Sequence, residues 1–133
     1  MRTEKLDKSH YIHFLGRADR FLKAAENAYA SGFWDVCISN SIHAAIAAAD
    51  AVNVKTLGLR STSPRHEDAL ALLTKTYQND SALQQNVKRL EHILSGKSEA
   101  EYGSRALDED DATATLKDVN RFIDFVKDRV GRQ

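Results

Sequence analysis

The sequence predicts an all-α fold, an up-and-down bundle of four main helices plus one shorter helix. Three observations carry this. The run from Phe33 to Asn53, FWDVCISNSIHAAIAAADAVN, is apolar nearly all round when set on a helix, which suits the middle of a bundle. Three other stretches repeat apolar residues at alternating spacings of four and three, the seam of a helix packed against a near-parallel or antiparallel neighbour. One proline and six glycines in 133 residues are too few for a sheet rich in turns. No strand, internal repeat or low-complexity segment is expected, and residues 1–133 are expected to form one domain with 1–7 as a short charged lead.

The first helix should open near Asp7 or Ser9 and end at Ala30, with Tyr11, Leu15, Ala18, Leu22, Ala25 and Tyr29 as its seam. Phe14, Phe21 and Ala28 widen it. The opposite face gathers His13, Arg17, Arg20, Lys23 and Asn27; with Asp19 and Glu26 nearby and no aromatics interleaved, a solvated outer face is expected. Gly32 is placed to take the left-handed conformation that ends helices, and so short a connection makes an antiparallel hairpin with the central helix. On the central helix a narrow polar strip holds Ser39, His43 and Asp50. Asp50 lies about 10 Å along the axis from His43, too far to orient its ring, so the strip is expected to be structural.

Val54 to Ser63 has no helical period and is expected to be a loop. Ser63 as N-cap with Pro64 in the first turn should start a third helix, its apolar face marked by His66, Ala69, Leu70, Leu73 and Tyr77. Ser81 and Gln84 form a capping box for the fourth, seamed by Leu83, Val87, Leu90 and Leu94 and closed by Gly96. Lys97 to Leu107 is polar, with a turn of helix around Glu99 to Tyr102. Asp108 should cap the last helix, where Glu109, Asp110 and Asp111 meet the positive end of its dipole and Ala112, Leu116, Val119, Ile123, Val126 and Val130 form the seam.

Nineteen basic residues balance nineteen acidic ones, so no global field draws in nucleic acid or an anionic membrane. The single cysteine, Cys37, falls within the central helix and is expected to be buried and inert. MRTEKLDKSH lacks an apolar core and no stretch is long and apolar enough to span a membrane, which together predict a cytoplasmic protein. No metal-ligand spacing, phosphate-cradling glycine motif or nucleophile elbow occurs, and neither metal nor cofactor is expected. The remaining candidate is the loop into the third helix, where Arg60, Arg65 and His66 cluster with Ser61, Thr62 and Ser63. Arginine grips phosphate by charge and paired donors, and histidine moves protons near neutral pH. Against that, Arg65 could be solvated, Arg60 paired with a carboxylate and His66 packed on the bundle.

The order of AYASGFWDVCISNSIHAAIAAADAV, PRHEDALALL, KSEAEY and DATATLKDVNRFIDFV resembles the HEPN family, small helical domains found beside nucleotidyltransferases and in toxin–antitoxin pairs. In that family a glycine–aromatic turn opens an alanine-rich second helix, a histidine begins the third, and a basic residue precedes an Ala-Asp-Tyr triplet; Lys97, Ala100, Glu101 and Tyr102 stand where that last motif falls. The resemblance implies a homodimer, a nucleotidyltransferase or antitoxin as partner, and binding of nucleotide or RNA near Arg60, Arg65, His66, Lys97 and Tyr102. Many members are metal-independent ribonucleases acting through Arg-x(4–6)-His late on one helix. Here the only such spacing, Arg60 to His66, spans a loop and a proline. A binding or regulatory module is therefore expected first, a toxin-type ribonuclease using Arg60 and His66 second, and a purely structural interaction subunit third. Phe14, Phe21, Phe122 and Phe125 exceed what one seam consumes, which points to a dimer interface.

Overall fold

Five helices and a two-stranded ribbon make up the part of the chain that the computed structural model describes, residues 2–76, 80–95 and 103–131, without the side chains of His66 and Thr76. In order these are β1 (Thr3–Lys5), a single 3-10 turn (Lys8–His10), α1 (Tyr11–Ala30), α2 (Trp34–Leu57), β2 (Leu59–Ser61), α3 (His66–Thr76), α4 (Ser81–Ser95) and α5 (Glu109–Val130).

The central position of α2 follows from its composition. It packs against the other four helices and β2, and Ala44, Ala45, Ala47, Ala48, Ala49 and Ala51 are all buried, their single methyls letting neighbours approach on several sides. One core cluster takes in Phe14 and Ala18 from α1, Leu73 from α3, Leu90 from α4 and Phe122 from α5. Cys37 is buried in it with its thiol pKa pushed up by burial, against a smaller pull from the Ser41 hydroxyl.

The local punctuation does what its chemistry requires. Gly32 sits at φ +75°, and Phe33 N–H donates to the Ala28 carbonyl at 2.9 Å, closing the α1–α2 hairpin. Asp108 and Asp111 cap α5 reciprocally, each carboxylate accepting the other's backbone N–H at 2.9 and 3.0 Å. The α4 cap is one residue earlier than expected: Asp80 Oδ1, not Ser81, accepts from Leu83 N–H at 3.0 Å, and Asp80 also pairs with Arg129 of α5 at 2.6 Å. Ser63 Oγ accepts from Arg65 N–H at 3.1 Å, but regular helix begins only at His66. The expected turn around Glu99–Tyr102 lies outside the described residues, as does Gly96.

Three expectations fail. The chain does contain strand: β1 pairs antiparallel with β2 in the register Thr3↔Ser61, Glu4↔Arg60, Lys5↔Leu59, so the charged lead is tied down. The loop expected from Val54 is helix as far as Leu57, because packing overrides the missing period: Val54 is fully buried, Lys55 donates to the Val130 carbonyl, and its ammonium stands 4.6 Å from the centre of the Tyr11 ring. Finally, Phe14 and Phe122 are core residues of this chain, at 3% and 0% exposure, and Phe21 and Phe125 pack partly buried against it. They are no surplus. Among the described residues the exposed large apolar side chains are Ile12, Phe33 and Val36.

Candidate functional site

Two elements, α1 and β2, bring cations to the ring of Phe14. On α1, His13, Phe14 and Arg17 follow one another within a turn; Phe14 points into the core and Arg17, half-buried, lies over its ring with the guanidinium carbon 5.0 Å from the centroid. Arg60, carried in by β2, stands over the same ring at 5.2 Å. Two distances to one centroid put the two guanidinium carbons no more than about 10 Å apart, so two positive charges share one neighbourhood. Arg17 also donates from Nη2 to His13 Nε2 at 3.2 Å.

Beneath them α2 supplies Asp50. Its Oδ2 faces Arg60 Nε at 3.9 Å, too long for a hydrogen bond, and its Oδ1 accepts none among the described residues. Its side chain is 5% exposed against 28% for Arg60. Burial pushes the carboxyl up to about 6, and the charges of Arg60 and then Arg17 pull it partly back. A turn further on, fully buried Asn53 donates from Nδ2 to the Ala69 carbonyl of α3 at 3.2 Å. This holds the start of α3 to the same end of α2.

The sequence-predicted residues divide accordingly. Arg60 is in the cluster, paired with a carboxylate. Arg65 is exposed before α3, and His66 is the first residue of that helix. Lys97 and Tyr102 lie outside the described residues. The strip of the central helix is split: His43 is half-buried and stacked on Phe21, with centroids 5.2 Å apart and planes 28° off parallel, whereas Asp50 belongs to the arginine cluster. Sequence reasoning missed Arg17 and His13, which it took for part of a solvated face without aromatics. The available signal was Phe14 itself, adjacent to His13 and three residues before Arg17.

At the α1–α2 corner a cleft of about 300 Å³ is lined by Phe33, Trp34, Asp35, Arg105 and Leu107, with Phe33 59% and Val36 46% exposed beside it. Among the described residues no group of three or more His, Cys, Asp or Glu is placed to hold a metal ion, and no helix is long and apolar enough to cross a membrane.

An α-helical bundle built round an alanine-rich second helix, with its charged cluster where the first and second helices meet β2, defines the class of this protein as a small all-helical domain. Its family follows from comparison: the HEPN domain model matches residues 11–129, nearly the whole chain, and the chain belongs to the HEPN domain family. No curated protein matches it.

Proposed function

We propose that this HEPN domain is a binding or regulatory module that holds a phosphate of a nucleotide or RNA between Arg17 and Arg60 and does not cleave it. The observation that carries this is the pair of guanidinium groups held over one phenylalanine ring. A cation–π contact with the ring restricts each guanidinium, so less side-chain entropy is lost when it closes on an oxyanion. The case against cleavage is positional. A ribonuclease of this type needs its arginine and histidine held together to within about half an ångström. Arg60 lies on β2 and His66 opens α3 beyond Pro64, whereas the catalytic pair of the family's ribonucleases lies late on one helix.

A protein partner forms part of the proposal, either a second copy, a nucleotidyltransferase or an antitoxin. It is supported by the exposed Phe33 and Val36 at the corner opposite the arginines.

The decisive experiment incubates purified protein with a mixed RNA pool in EDTA and follows both binding and integrity. Intact RNA is expected, with binding weakened at least tenfold in Arg17→Ala, and in Arg60→Lys, which keeps the charge and loses the fork. Degradation that disappears in both Arg60→Ala and His66→Ala would promote the ribonuclease in its place.

A further inference from the structure

The Arg60–Asp50 pair is asymmetric. The guanidinium is reachable from solvent at 28% side-chain exposure, while the carboxylate behind it, at 5%, is not. An incoming anion therefore meets Arg60 and cannot meet Asp50. The contact it has to break is weak in geometry, since at 3.9 Å the pair is held by charge without a hydrogen bond, and Oδ1 has no donor among the described residues to anchor the carboxylate. Once an anion takes the guanidinium, Asp50 is left as a buried negative charge beside a second one, a state that a protein relieves by neutralising the carboxyl.

Resting on the phosphate-binding role of Arg17 and Arg60, we propose that Asp50 is a built-in competitor for the anion: it holds Arg60 until the anion arrives and takes up one proton from solvent as the anion replaces it. The charged groups acting on Asp50 are Arg60 from β2 and Arg17 from α1. His13 stands one step behind Arg17. The fully buried side chains contributed by α3, α4 and α5 are all apolar among the described residues, Asp68 of α3 is half-buried, and β1 sets a second carboxylate, Glu4, directly across from Arg60 in the ribbon. Binding is thereby coupled to pH, tightening as the solution becomes more acidic. The charge balance also ranks ligands. Two arginines with a neutral Asp50 match a dianion, so a terminal phosphate is bound more tightly than an internal phosphodiester.

Sulfate is the probe, because it stays a dianion across the range in which phosphate itself would titrate; the dinucleotide UpU supplies a monoanionic phosphodiester. Each is titrated calorimetrically at about pH 5.5 and about pH 7.5, in buffers of different ionisation enthalpy. A carboxyl titrating at about 6 is roughly three-quarters protonated at the lower pH and roughly one-thirtieth at the higher, which sets a ceiling of about 25-fold on the gain in sulfate affinity. At the higher pH close to one proton should be taken up per sulfate. Asp50→Asn should bind at both pH values as the wild type does at the lower one, with no dependence on buffer. His13→Gln should keep the pH dependence. Binding that is pH-independent in the wild type, or that loses its pH dependence in His13→Gln and keeps it in Asp50→Asn, overturns the competitor role and leaves the phosphate site standing. No binding of either probe by wild type or Asp50→Asn overturns both.

Discussion

Replacing Asp50 by asparagine should stabilise the domain near neutral pH and lose that advantage in acid. The carboxyl is raised from 3.8 to about 6, first by burial, with Arg60 and Arg17 opposing. A shift of roughly two units at about 1.4 kcal/mol per unit is about 3 kcal/mol of folding free energy. The sign follows from proton binding. The folded chain holds this proton more tightly than the unfolded chain, so the contribution to stability is fully present below about pH 4, declines as pH rises to about 6, and is gone above that. Asparagine has the same shape and no such titration. Whatever constant difference the amide introduces, the stability gap between variant and wild type should widen by about 2.5 kcal/mol between about pH 4 and about pH 7, or about 10 °C in melting temperature for a domain of this size. Asp7, Asp80 and Asp111, whose carboxyls are lowered chiefly by hydrogen bonds to Ser9, Leu83 and Asp108, act in the opposite sense but equally in both proteins. Thermal melts of the two at four pH values give the comparison. A gap that stays constant across the range would refute the reasoning.

Two further outcomes are expected. Gly58→Ala should cost about 1–2 kcal/mol, because Gly58 sits at φ +65° and an added Cβ would lie 3.0 Å from the Leu6 carbonyl oxygen; an unchanged melting temperature would show that this corner carries no constraint. Light scattering should give the mass of two chains at micromolar concentration and of one in the Phe33→Ser/Val36→Ser double variant, whereas a wild-type monomer would remove the second copy from the proposal.

What could be seen in the sequence was what local chemistry decides. Seams at Tyr11–Tyr29 and Ala112–Val130, the left-handed Gly32 and the Asp108 cap each depend on residues within a turn or two, and the alanines of α2 leave few places for that helix except the centre. The ribbon was invisible because three-residue strands are too short to show alternation, and their stability comes from residues almost sixty positions apart. The end of α2 was misjudged for a similar reason, since Lys55 is secured by Val130 at the far end of the chain. At the candidate site Arg60 was visible by type and Asp50 by its place on the polar strip. Their meeting was not, because Gly58 turns the chain back over α2 between them. Arg17 was hidden by a face average that counted charges and overlooked the ring underneath.

The same ribbon fixes where an attachment would fall. Glu4 is directly across from Arg60 in the register, and the last turn of α5 is held by Lys55, whose ammonium stands over Tyr11 at the start of α1. Both ends of the described chain thus emerge at the pole of the bundle that carries the arginine cluster, away from the α1–α2 corner. An affinity tag or reporter protein joined ahead of Thr3 would crowd the strand that presents Arg60. Ser31, exposed at the opposite pole, is a position where a label would leave the arginine cluster unobstructed.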